Sequence, residues 1–411
     1  MSDMDKLLHA PKEMKRWEED RQIALDLLRP SPRDLEHGLE LHRNSFVFDA
    51  YGFMPAGGGR NTRLDRLIAA KAGRDQIHDA REEFTKNVAF GDPRQRELLR
   101  AGWDFAGVDC IFQNAGIEGN DIERLLKRFG CFTNLVDRFP DLFERAAYPD
   151  RLPGIRARGH KALYLTTNGV PVPRKLTSKD DALEPITVFF RLGARMMHLT
   201  YNRRNLIGDG CAEPADAGLS DFGRAVITEM NRVGVIPDVA HSGQRTSLEA
   251  ARCSAKPVVA SHTVAGHLSS HYRGKSDEII EAICKTGGYV GICGIPRFLR
   301  GTADIRAMLD HIEYVARKFG ADHVAIGTDR SSTLSPMVTE RPEPEMMPIW
   351  EQFWTPPAEP DIPVSDEQFR SIAWGNWPLF TVGLVQRGFS DEEIRKIIGG
   401  NVLRVAQATV S

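Results

Sequence analysis

Short apolar runs alternate with longer amphipathic stretches along most of this chain. Eight runs read as strands: Phe46–Phe53, Gly107–Gln113, Lys161–Asn168, Ala194–Tyr201, Val235–Val239, Pro257–Thr263, Gly288–Gly294 and His323–Asp329. Runs such as Val258-Val-Ala260 are apolar at consecutive positions, as expected of strands buried on both faces. Between them the spacing predicts helices over 62–73, 92–104, 121–138, 181–192, 219–233, 245–253, 277–286 and 302–318. Asp221, Ser276 and Thr302 are the expected caps. Eight β-α units make a (β/α)8 TIM barrel, an α/β fold, the economical architecture. The expected division is a helical lead-in over 1–44, the barrel over 45–330, a Pro-rich lid or contact loop over 331–365, and C-terminal helices over 366–411. Residues 331–365 hold eight prolines and six acidic residues, and a loop of that length at a barrel mouth is usually functional. Ser390-Asp-Glu-Glu393 reads as a helix start.

Composition narrows the partners. The net charge is −2 over 411 residues, which gives no support for a nucleic-acid partner. No apolar stretch is long enough to span a membrane, and the first 21 residues lack the apolar segment of a secretory signal. The six cysteines are scattered with no CxxC, which points to free thiols and a cytoplasmic location.

Candidate chemistry sits where strands end. The fifth and sixth runs lead into His241 and His262, which successive parallel strands would place side by side at one mouth. That geometry suits a metal.

Several stretches then resemble the membrane (renal) dipeptidase family of the amidohydrolase superfamily. They are Leu192–Asn202, Gly218–Arg224, Glu229–Gly234, Asp238-Val-Ala-His241, Ala260-Ser-His262, Arg273 with Ser276-Asp-Glu278, Asp322–Asp329 and Gly399-Gly-Asn401 with Arg404. The resemblance implies a homodimeric barrel whose members hold two zinc ions. It maps two ligand histidines to His241 and His262, and the eighth-strand ligand to Asp329. It maps the arginine that contacts a substrate carboxylate to Arg273.

This chain departs from the pattern elsewhere. Tyr51 and Phe53 stand where the family has a His-x-Asp ligand pair. Asn168 stands for the bridging glutamate, and Tyr201 for a substrate-holding histidine. Glu118 imitates the bridging motif but follows strand two. Strand alternation would put Asp49 on the face of Tyr51 and Phe53, one layer deeper. Phenylalanine cannot ligate and an amide cannot bridge two cations, so the two-metal site is predicted to be lost. One divalent metal, zinc or alternatively iron, is expected on His241, His262 and Asp329. Arg330 is expected to pair with Asp329 or touch substrate. Tyr51 and Asp329 are the candidate acid/base groups, Asn168, Tyr201 and Arg273 the substrate hydrogen-bonders, and Phe53 a pocket wall. His198 reads as a core or supporting residue.

The expected function is a divergent metal-dependent hydrolase of a small, anionic, amide or dipeptide-like substrate. Two alternatives stay open: a metal-free or mononuclear barrel doing lyase or isomerase chemistry through Tyr51 and a histidine, and a non-catalytic small-molecule binding protein.

Overall fold

The computed structural model describes residues 2–57, 61–116, 121–173, 178–331 and 362–410. Most of the 331–365 stretch and Glu118 therefore lie outside the described residues. Among the described residues there are nine strands: β1 (Phe48–Gly52), β2 (Cys110–Asn114), β3 (Ala162–Thr167), β4 (Ala194–His198), β5 (Ile236–Asp238), β6 (Ala260–Ala265), β7 (Gly274–Lys275), β8 (Val290–Ile292) and β9 (Val324–Ile326). All pairings between them are parallel, in two sheets ordered β1-β2-β3-β4-β5 and β7-β6-β8-β9. Each of the eight predicted runs holds or overlaps one of these strands; only the two-residue β7 has no predicted counterpart.

Backbone hydrogen bonds join the two sheets at both seams. Val239 N donates to Val259 O (2.8 Å) and Val259 N to Pro237 O (3.0 Å), linking β5 to the approach of β6. Asp329 N donates to Tyr51 O and Phe53 N to Arg330 O, both at 3.0 Å, linking the end of β1 to the chain after β9. The eight longer strands thus close into a ring, as the sequence pattern predicts.

Phe48, Phe112, Tyr164, Met196, Ile236, Val259 and Tyr289 fill one buried cluster. Phe48 stacks on Phe112 with ring centres 5.1 Å apart. A second, larger cluster packs the helices onto the strands and includes Trp103, Trp374 and Trp377. Among the described residues no helix is long and apolar enough to cross a membrane.

Several expectations need correction. A helix over Arg74–Gly91 fills a stretch the pattern left open. The cap before Phe222 is Ser220, whose side chain accepts from Gly223 N, so Asp221 is already the first helical residue. The helix expected from 302 begins at Ile305, with Asp304 as its cap. In both cases the side chain that reaches a free backbone N–H decides the start. Ser276 holds the N-cap position of Asp277–Lys285 without a side-chain capping bond, and Ser390 with Glu393 forms a capping box.

The most consequential correction lies in β1. Its register with β2 shifts between Asp49 and Gly52, so simple alternation fails there. Tyr51 joins the cluster that contains Phe48, whereas Asp49 turns to Thr328 and Trp374. Asp49 and Tyr51 therefore do not share a face.

Candidate functional site

β5 and β6 deliver the two histidines. Asp238 ends β5, and its side chain organises the turn beyond it. Its Oδ1 accepts from Ala240 N (2.9 Å) and Ser261 N (3.0 Å), and its Oδ2 accepts from the Ser261 hydroxyl. His198, its register partner at the end of β4, brings Nε2 to 2.8 Å from the same Oδ2. Burial alone would raise the Asp238 carboxyl. His198 and the Ser261 donors outweigh it and hold the carboxyl below its ordinary range.

Space for this arrangement comes from glycine. A Cβ at Gly291 or Gly327 would lie 1.9 Å from Ser261 O, so β8 and the end of β9 can approach β6 only without side chains there.

His241 and His262 are both buried and meet at the mouth, Nε2 to Nε2 at 2.9 Å. Their outer nitrogens each face an oxygen. His241 Nδ1 lies 2.7 Å from Asn202 Oδ1, an acceptor. His262 Nδ1 lies 2.8 Å from Ser261 Oγ, whose single proton is committed to Asp238. With the proton on Nδ1 of both rings each would present a lone pair at Nε2, whereas without a cation the 2.9 Å separation fits one Nε2–H donating to the other. Burial, then the Arg273 guanidinium, pushes both imidazoles well below their ordinary range, so both are neutral. Two lone pairs 2.9 Å apart repel unless a cation lies between them. Two imidazole nitrogens on one tetrahedral zinc stand roughly 3.3 Å apart, so a small expansion of this pair admits one ion.

Aromatic rings plate the pair on both sides. Tyr51 lies on His262, ring centres 3.7 Å apart and planes 10° apart. Tyr201 lies on His241 at 4.1 Å and 22°. The Tyr51 hydroxyl donates to Asn168 Oδ1 at 2.9 Å, so these two sequence-predicted site residues act as one unit.

The remaining expected residues sort by what they touch. Arg273 is fully buried; Nε donates to Ala240 O (3.2 Å) and Nη2 to His262 O (2.8 Å). It thereby clamps the backbone beside both histidines. Its Nη1 has no hydrogen-bond partner among the described residues. Phe53 packs edge-on to Tyr51 and lines a cavity of about 210 Å³ with Arg81, Glu82, Lys86 and Gln113.

Asp329 takes a left-handed conformation (φ 53°), unusual for a residue with a side chain and common at functional strand ends. Arg330 departs from its expected place beside Asp329. Its guanidinium lies 3.5 Å over the Phe369 ring and donates to Phe369 O at 3.0 Å. Stacking and a carbonyl acceptor hold it in the C-terminal helical part.

Potential ligand atoms of His198, Asp238 and His262 all lie within 4.8 Å of one another, and neither His241 nor Asp329 is part of that group. Sequence reasoning assigned no role to Asp238 or Asn202 and placed His198 in a supporting one. An aspartate three residues before His241, inside an otherwise apolar strand, was the available signal. Cys110 and Cys293 are buried with thiols raised by burial, which makes them poor nucleophiles.

Comparison with known proteins places these features in a family. The model of the membrane dipeptidase family, peptidase family M19, matches residues 81–338. The Dipeptidase tcpJ of Claviceps purpurea is 26% identical over 276 residues, 66% of this chain and 56% of that protein. The Dipeptidase verJ of Clonostachys rogersoniana is 28% identical over 223 residues, 53% of this chain and 48% of that protein. The chain thus spans about half the length of the curated relatives it matches. The crystal structure of the probable dipeptidase PvdM from Pseudomonas aeruginosa aligns with a TM-score of 0.66 at 19% identity. It covers 92% of this chain and 99% of that one, a likeness of fold.

Proposed function

The chain belongs to the membrane dipeptidase family, peptidase family M19, and we propose that it is a divergent metal-dependent hydrolase within it. Its substrate would be a small carboxylate-bearing amide or dipeptide-like molecule. The observation that carries this reading is the approach of His241 Nε2 to His262 Nε2 at the barrel mouth, 2.9 Å apart, with the other nitrogen of each ring held by an oxygen. A single zinc ion there, or iron in its place, would polarise a carbonyl or activate a water.

The protein's own groups supply the rest. Arg273 holds the two histidine-bearing segments together and offers Nη1 to a substrate carboxylate. Tyr51 and Asn168 orient the polar middle of the substrate, and the Tyr51 hydroxyl is the candidate proton donor. Tyr201 stacks over His241 at the rim. Phe53 walls a cavity that Arg81 also lines, beside the paired Glu82 and Lys86. Asp329 is the candidate general base or further ligand.

One metal fits better than two. On the Tyr51 side the described residues offer a phenol bonded to an amide, and the nearby Asp49 already serves Thr328 and Trp374. A homodimer and a cytoplasmic location belong to the same proposal. They are supported by the resemblance and by six unpaired cysteines.

The test is hydrolysis of a panel of dipeptides and N-acyl amino acids by protein stripped with a chelator and then reloaded with zinc. The reading predicts turnover that is lost on stripping, restored by zinc, and missing in His241→Ala. Turnover indifferent to the chelator would point to metal-free acid/base chemistry. Binding without turnover would point to a non-catalytic binding protein.

A further inference from the structure

His198 is the third imidazole of this site. It is fully buried, and its ring centre lies 5.2 Å from that of His241 and 5.3 Å from that of His262. The His241 and His262 ring centres are 4.9 Å apart. Three imidazoles around one tetrahedral zinc have ring centres roughly 5 Å apart, because each ring centre sits little more than 1 Å behind its ligand nitrogen. The ring centres thus approach the spacing of a three-histidine metal set, while the ligand atoms of His198 group with those of Asp238 and His262 and not with His241, so His241 and His198 must turn toward each other to share an ion.

The hydrogen bonding fits the same pattern. A histidine that binds a metal through one nitrogen usually has the other held by a carboxylate, carbonyl or hydroxyl. His241 has Asn202 in that place and His262 has Ser261. His198 has Asp238, with Nε2 2.8 Å from Oδ2. Nε2 meets Asp238 as a close ion-pair contact without hydrogen-bond geometry, and Nδ1 has no hydrogen-bond partner among the described residues, although the ring is wholly buried. An unused nitrogen in such a place costs free energy unless a ligand satisfies it.

Asp238 is better suited as the outer acceptor than as a ligand. Its two oxygens already take the Ala240 N–H, the Ser261 N–H and the Ser261 hydroxyl, besides facing His198. It therefore supports two of the three rings, His198 directly and His262 through Ser261.

We infer that His198 is a metal ligand, and that the site is a three-histidine centre of His198, His241 and His262 with Asp238 behind it. The centre fills a coordination position with a neutral ligand from β4 and suits a borderline-soft divalent ion such as zinc. This inference rests on the reading that the site holds one metal.

The test is X-ray absorption of the zinc-loaded full-length protein, in which imidazole ligands are counted from their outer-shell scattering. Three imidazoles per zinc are expected. His198→Asn should lower zinc affinity beyond the roughly 10- to 100-fold that loss of an outer partner costs, and Asp238→Asn should fall within that range. Two imidazoles, with His198→Asn binding zinc as tightly as the parent, would overturn the inference and leave the His241–His262 metal standing. Protein that takes up no zinc at all would remove both.

Discussion

Tyr51 lies flat against His262, ring centres 3.7 Å apart, and its hydroxyl reaches Asn168 at 2.9 Å. Both residues stand where the resemblance implies metal-binding side chains, and here they bind each other. The phenol thus occupies one flank of the histidine pair, and the hydroxyl is held by an amide oxygen.

Replacing Tyr51 with Phe keeps the stack and removes that bond. Stability should fall by about 1 kcal/mol, the net worth of one buried hydrogen bond, with zinc content unchanged. Turnover should fall at least roughly tenfold if the hydroxyl donates a proton in the reaction. Urea unfolding, zinc analysis and kinetics on Tyr51→Phe check the three parts; unchanged turnover would remove Tyr51 from the chemistry.

Asp49 makes a structural prediction. It accepts from Thr328 N (2.9 Å), Thr328 Oγ1 (2.6 Å) and Trp374 Nε1 (3.0 Å), tying β1 to the chain after β9 and to the C-terminal helices. Asp49→Ala removes the acceptor of three buried N–H donors, those of Tyr51, Thr328 and Trp374, and should cost about 3 kcal/mol or more. Trp374→Phe removes one donor along with its need and should cost less. A loss below 1 kcal/mol in Asp49→Ala, by urea unfolding, would contradict this role.

Acid sensitivity should trace to buried imidazoles. Burial, reinforced by the charges of Arg21, Lys161 and Arg156 and opposed by the bond to Ala106 O, pushes His42 down to about 3. Its ring bonds Thr381 Oγ1 at 2.8 Å and Ala106 O at 3.0 Å. Unfolded, it would titrate near 6.5, so below that pH the unfolded chain binds the extra proton. The stabilisation is complete above pH 6.5 and is lost at about 1.4 kcal/mol per pH unit as the pH falls. Asp49 works in the opposite sense. Burial pushes its carboxyl up to about 7, so its contribution is full at acid pH and is lost as pH rises toward 7. Unfolding free energies of the parent and His42→Gln at pH 6.5 and 5.5 should differ in slope by about 1 kcal/mol; equal slopes would exclude His42 as a source.

The barrel was legible because buried parallel strands leave consecutive apolar residues, and all eight runs carry a strand. The helix over Arg74–Gly91 escaped because its polar and apolar positions give little contrast and Gly73 supplies no side-chain cap. His241, His262 and the Tyr51–Asn168 partnership were within reach of position along the strands. The shifted register in β1 was not, since nothing in Phe48-Asp-Ala-Tyr-Gly52 marks where alternation breaks. Arg330 was assigned by adjacency to Asp329, but the chain turns through a left-handed residue there and sends the guanidinium to Phe369. His198 looked like filling because its partner Asp238 is 40 residues away in sequence and becomes a neighbour only through β4–β5 pairing.

Metal content of the purified protein, measured by elemental analysis beside a His241→Ala/His262→Ala double variant, tests the central claim most directly. The account predicts one zinc or iron per chain in the parent and none in the variant. Two ions per chain would contradict the single-metal site, and none after reconstitution would contradict metal-assisted hydrolysis altogether.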